Sequence, residues 1–141
     1  MSKIALGTAQ FGLPYGISNV NGQVERTEID KILDFARSAG ISMLDTAIAY
    51  GNSEENIGAT DSVGFEIVTK LPPLTGAETS VAKWVRNQIE NSLVKLKRNL
   101  VYGLLLHNPA DLLGIYGDEL YESLALLKEE GLVKKIGISI Y

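Results

Sequence analysis

Four residues have the types and spacing for joint acid–base chemistry: Asp45, Tyr50, Lys70 and His107. Asp45 and Tyr50 share the stretch "LDTAIAYGNSEENIG" (44–58), where a carboxylate and a phenol follow directly on an apolar run. A free phenol has a pKa of about 10, too high to give up its proton readily near neutrality. A neighbouring ammonium favours the phenolate and so makes the phenol a better acid. Lys70 can do this for Tyr50, Asp45 can hold Lys70 and balance its charge, and His107 can donate a hydrogen bond to a substrate oxygen. Together they would protonate a carbonyl oxygen as negative charge develops on it. No metal is required, and one histidine among scattered carboxylates makes a poor transition-metal site.

The elements that would bring these residues together are short apolar runs rich in Ile, Val and Leu, alternating with helical patterns. The runs are "IALGT" (4–8), "ISMLD" (41–45), "FEIVTK" (65–70), "VYGLLLH" (101–107) and "KIGIS" (135–139). They are near-continuous rather than alternating, which predicts strands covered on both faces, as in a parallel sheet. The first helix has Ile29, Ile32, Leu33, Ala36 and Ala39 on one face, with Thr27 as its expected cap and Gly40 at its end. "SEENIGA" reads as a short second helix, capped by Ser53, whose glutamates suit its positive N-terminal end. A third helix begins near Thr79 or Ser80, with Val81, Val85, Ile89, Leu93 and Leu96 inward, and a fourth runs from about Asp118 to Glu130 before Gly131. "LPPLTG" (71–76) and "NPADLLGIYG" (108–117) read as loops. About five parallel strands and four helices therefore make an α/β domain, with no linker inside 1–141.

Parallel strands put their C-terminal ends on one rim, where such folds bind ligands. Thr8, Asp45, Lys70, His107 and Ser139 end the five runs, with Tyr50 just beyond the second. Taken singly, each has a plainer explanation. Asp45 could cap a turn, Lys70 could be a solvated strand end, a lone His107 could be a structural group, and Tyr50 could be a rim aromatic. Ser139 alone means little. Their repetition at the same position in successive units is what points to a site.

Composition narrows the classes. The 141 residues carry a net charge of −4, with 45% hydrophobic and 21% charged residues, ordinary for a globular protein. No basic run suggests nucleic acid. No window approaches the ~20 apolar residues of a spanning helix, and "MSKIALGTAQFG" has no signal-peptide core. There is no cysteine, so disulfides and thiolate metal sites are excluded. A cytoplasmic protein is the expectation.

The pattern resembles the aldo-keto reductase family. Its Asp-x-x-x-x-Tyr-Gly signature matches "DTAIAYG", with Asp45, Tyr50 and Gly51. Its strand-three lysine matches Lys70 in "IVTK", its strand-four histidine matches His107 in "LLLH", and "SEENIG" is similar to the helix after the family's tyrosine. The resemblance implies a (β/α)8 barrel, present here as about half a barrel over residues 1–141, and reduction of an aldehyde or ketone by hydride from NADPH. It makes Tyr50 the proton donor, Lys70 and Asp45 its tuning pair, and His107 the substrate-orienting group. Gly7, Thr8, Asp45 and Ser139 would approach the nicotinamide end. Phe11 and Tyr15, in the first rim loop, would line the substrate pocket, whereas Trp84, inside a helix, reads as packing.

Two departures accompany the match. The family follows its strand-five serine with asparagine, where this chain has Ile140. The family's barrel also has eight strands, and by the resemblance the rest of it carries the aromatic that stacks on nicotinamide and the loops that grip the phosphates. No residue present selects NADPH over NADH. A half barrel leaves open sheet edges and an apolar inner face, so self-association through those edges is expected. Two other readings stand beside the reductase: a non-enzymatic half-barrel assembly or interaction module, and an unrelated α/β domain binding a phosphorylated small molecule. The last is the weakest, since no stretch has the spacing of a glycine-rich phosphate loop.

Overall fold

The five apolar runs do form five strands, and all of them pair in parallel. The computed structural model describes residues 4–140. Strands β1 (Leu6–Gly7), β2 (Met43–Asp45), β3 (Glu66–Leu71), β4 (Val101–Leu106) and β5 (Val133–Ile138) lie in one sheet in chain order. Helices α1 (Arg26–Ser38), α2 (Ser53–Ala59), α3 (Val81–Leu96) and α4 (Gly117–Glu129) fill the four crossovers. Sequential order with a helix in each crossover is the winding of a (β/α)8 barrel. Here it is open, with five strands, and β1 and β5 are each paired on one side among the described residues.

The two faces of the sheet differ. Leu44, Ile67, Leu71, Leu104 and Leu106 are buried against the helices, meeting a core built from Ile29 and Leu33 of α1, Ile57 of α2, Val85 and Ile89 of α3, and Leu120 and Leu127 of α4. On the other face Gly103 lies beside Val68, where an added Cβ would come within 3.2 Å of the valine. Val68 and Leu105 there are only half-buried. Trp84 packs against the core, as its helical position suggested.

Local chemistry sets the helix ends, with two corrections. Ser80 caps α3, its hydroxyl accepting from the Lys83 amide at 3.3 Å. Gly40 follows α1 with φ +76°, a conformation that favours glycine. Thr27 is not a cap, because α1 begins at Arg26 with Glu25 at the cap position, whose carbonyl accepts from the Glu28 and Ile29 amides at 2.9 and 3.0 Å. Ser53 is not a cap either: it is the first residue of α2, buried, and turned toward the sheet. The expected loop 108–117 contains a 3-10 turn at Pro109–Leu113, opened by the Asn108 side chain accepting from the Ala110 amide.

Leu104 has no exposed surface in mid-sheet. Leu104→Ala should lower unfolding free energy by about 2–5 kcal/mol, whereas Val94→Ala, on the exposed side of α3, should stay within about 0.5 kcal/mol. Urea titration of the two variants measures the contrast.

Candidate functional site

Side chains two residues apart on a strand share a face, and pairing sets Asp45 of β2 opposite Val68 of β3. Lys70, two residues past Val68, therefore stands on the same face as Asp45 and one step nearer the rim. Its ammonium reaches back to both Asp45 oxygens, at 2.9 and 2.8 Å, and to the Thr46 carbonyl at 2.8 Å. The Lys70 side chain is 5% exposed and that of Asp45 38%. Lys70 is thus no solvated strand end but an ammonium inside the fold, surrounded by three oxygens.

The sheet's hydrogen-bond ladder runs past the strand ends and carries the other residues. The Thr46 amide bonds to the Val68 carbonyl and the Ile48 amide to the Lys70 carbonyl. The chain after β2 is thereby led along β3 before the Tyr50 amide closes a turn onto Ala47. His107, one residue past β4, keeps its amide on Leu71, and Ser139, one past β5, keeps its amide on Leu106. Tyr50 and His107 meet edge to face, with ring centroids 5.8 Å apart and planes at 83°. The Lys70 ammonium lies 5.2 Å from the Tyr50 ring centroid. Asp45, Tyr50, Lys70 and His107 thus form one cluster at the C-terminal ends of the strands.

The His107 imidazole is held below its ordinary pKa of 6.5, mainly by burial and next by the Lys70 ammonium, against an opposing pull from Asp45. It is neutral at pH 7, with one ring N–H to donate and one nitrogen to accept.

The remaining expected residues divide. Gly7 is exposed, with open space where a Cβ would stand. Thr8 is buried, and its hydroxyl donates to the Asp45 carbonyl at 3.0 Å, so its side chain serves the strand ends. Phe11 is corrected from pocket lining to packing: it is 3% exposed and belongs to the core cluster. Tyr15 is 61% exposed, on a loop gathered by the Gln10 and Asn19 side chains bonding to its carbonyl.

The sequence reading missed the parts beneath the rim. Ser53 bonds to the Thr8 carbonyl at 2.9 Å and to the Thr8 and Thr46 hydroxyls at 3.1 Å. Glu54, read only as a glutamate suiting the positive helix end, is buried. The signal lay in helical spacing, since buried Ile57 stands four residues after Ser53 and three after Glu54, on the same face. Gly12 was also missed, and Gly51 was noted only as part of the Tyr-Gly signature, without its packing role. A Cβ on Gly12 would lie 1.8 Å from the Tyr50 carbonyl oxygen, and one on Gly51 2.3 Å from the Gly12 oxygen. The first rim loop thus packs backbone to backbone against the tyrosine's turn.

The sequence model of the aldo/keto reductase family matches residues 3–141. The chain belongs to that family. Among solved structures, one from Pseudomonas aeruginosa described as an aldo-keto reductase is 34% identical, with a TM-score of 0.80 over 96% of this chain and 54% of its own. An aldo-keto reductase of Bacillus halodurans, in its holo form, shares the fold at 22% identity and a TM-score of 0.74, over 98% of this chain and 46% of its own. An aldo-keto reductase of Klebsiella pneumoniae in complex with NADPH does so at 23% identity and 0.71, over 97% and 45%. The chain therefore spans about half the length of these reductases. No curated protein matches it. Among the described residues no helix is long and apolar enough to cross a membrane.

Removing the Lys70 ammonium removes one of the two influences that keep His107 neutral, while Asp45 continues to favour its charged form. The His107 midpoint, followed by NMR of the imidazole, should lie below 6.5 in the wild type and rise in Lys70→Met.

Proposed function

We propose that this chain carries the proton-transfer half of an NADPH-dependent reductase that converts an aldehyde or ketone to an alcohol. The observation behind this is the buried Lys70 ammonium, held by Asp45 and set beneath the Tyr50 ring with His107 at its edge. Family membership supports oxidoreductase chemistry. The NADPH bound by the Klebsiella pneumoniae protein of the same fold supports the choice of cofactor.

The residues expected at the nicotinamide end fit a flat ring coming close to the rim. Gly7 leaves open space there, and Ser139 is a half-buried hydroxyl one step past β5. When bound, NADPH would supply hydride to the carbonyl carbon. The chain's own residues handle the oxygen. His107, neutral, donates its N–H and orients the carbonyl. Tyr50 gives its proton as negative charge grows on that oxygen, and the Lys70 ammonium stabilises the phenolate left behind. Asp45 keeps the ammonium in place and offsets its charge. The absence of cysteine fits a reductase working in the cytoplasm.

A second reading has its own support, since β1 and β5 are open edges and Val68 and Leu105 are half-exposed on the uncovered face. Such a sheet can serve as an assembly module, and it favours association of chains through strand pairing. Light scattering on the isolated chain should give a mass above one copy, and a clean monomer that binds no apolar dye counts against association.

For the reductase, NADPH titration followed by cofactor fluorescence should saturate. Tyr50→Phe should keep that binding and lose turnover by about 10²–10⁴-fold. Wild-type protein that shows neither binding at millimolar cofactor nor carbonyl-dependent NADPH oxidation leaves the assembly module standing.

A further inference from the structure

Behind the rim, on the helix side of β3, a carboxylate is buried that the proposed reaction does not use. Glu54 is 3% exposed. Its Oε1 accepts from the Thr69 hydroxyl at 2.7 Å and its Oε2 from the Ser92 hydroxyl at 3.0 Å. Lys95 and Glu55 are the charged groups that act on it, and Lys95 is itself ion-paired with Glu55 at 3.4 Å. Burial outweighs these bonds and raises the Glu54 pKa above 4.5. Burying a carboxylate among hydroxyls is costly, and an apolar residue would fill the same gap at less cost.

The contacts of the first turn of α2 give the carboxylate a purpose. The Ser53 amide bonds to the Tyr50 carbonyl at 3.0 Å. The Ser53 hydroxyl fixes the same turn to the ends of β1 and β2 through Thr8 and Thr46. Among the described residues only Glu54 ties it by a side-chain hydrogen bond to β3, at Thr69, and Thr69 is followed directly by Lys70. Tyr50 and Lys70 therefore hang on opposite ends of one short path: Tyr50 to Ser53 by backbone, Glu54 to Thr69 by hydrogen bond, Thr69 to Lys70 by covalent bond.

We propose that Glu54 is a positioning residue, which through Thr69 sets the Tyr50 phenol relative to the Lys70 ammonium. It rests on the reductase reading above and deepens it. Glutamine preserves the geometry, because its Oε1 accepts from Thr69 and its Nε2 donates to the Ser92 oxygen. Alanine loses both bonds and frees the turn.

The test compares wild type, Glu54→Ala, Glu54→Gln and Ser92→Ala. Glu54→Ala should lower kcat by about 10- to 100-fold, the size of a small misplacement of reacting groups. It should change NADPH affinity less than about twofold, as for a change that acts on the chemical step rather than on binding, and move the pH midpoint of kcat. Glu54→Gln should restore both kcat and midpoint, and Ser92→Ala, which keeps the Thr69 bond, should retain them. A Glu54→Ala protein with a lower melting temperature but unchanged kcat per folded molecule and unchanged midpoint overturns the proposal. So does a Glu54→Gln protein as impaired as Glu54→Ala. If Glu54→Ala fails to fold, Thr69→Val removes the same bond at nearly constant shape and carries the same expectations. Absence of both NADPH binding and turnover in the wild type sinks the reductase reading instead. The positioning role is then read from NMR titration of the Tyr50 ring: movement in Glu54→Ala with recovery in Glu54→Gln supports it, and no movement overturns it.

Discussion

An ammonium with 5% of its side chain exposed must find oxygens inside the fold, and the rim is organised around that need. Desolvating a charge without a partner costs several kcal/mol, so Lys70 can occupy its place only with Asp45 opposite. That makes the pairing of β2 with β3 specific. A slip of one residue would turn Asp45 to the helix side and Leu44 to the open face. The Thr46 carbonyl supplies the third oxygen only because the chain keeps following β3 after β2 ends. The same continuation carries Tyr50 to its place over the ammonium. One ion pair thus fixes a register, a loop path and the neighbourhood of the phenol.

Rigidity at the rim comes from extending the sheet beyond its strands. Thr8, Thr46, Ile48, His107 and Ser139 each lie past a strand end, yet each amide still bonds to the neighbouring strand or its continuation. Loops that bear functional groups usually gain their precision from the scaffold below them, and here the scaffold reaches into the loops. Gly12 and Gly51 add a close backbone contact that no side chain would allow. The Tyr50 turn is therefore clamped from two directions, by the first rim loop and by the buried start of α2.

The fold and the four central residues were legible in the sequence because both rest on simple periodicities. Apolar runs without alternation announce a parallel sheet, and a polar residue at the end of each run announces the rim. Local calls based on single residue types fared worse. Thr27 and Ser53 are good capping residues, but α1 closes on a backbone carbonyl and Ser53 is drawn inward by Thr8 and Thr46. Phe11 sits in a rim loop by sequence and in the core by packing, since a loop that touches β2 and α2 can bury one ring without a periodic signature. Glu54 escaped notice because a seven-residue helix is too short for its buried face to stand out.

The half-buried Asp45 and the buried Glu54 are held in different ways, and the difference suits their places. Asp45 meets the positive charge of Lys70. Glu54 meets two hydroxyls, which can turn. Ionised, it accepts from both; protonated, it can donate to one while accepting from the other. A carboxylate whose pKa is raised by folding keeps its proton longer in the folded state than in the unfolded chain. Over the window from its ordinary value of 4.5 up to the raised one, the folded state binds more protons, so its contribution to stability falls as pH climbs. Glu54 therefore costs stability at neutral pH, yet either protonation state leaves the bond between α2 and β3 intact. A support whose bond survives protonation sits behind the rim, so pH changes that load it need not disturb the ammonium and phenol it holds in line.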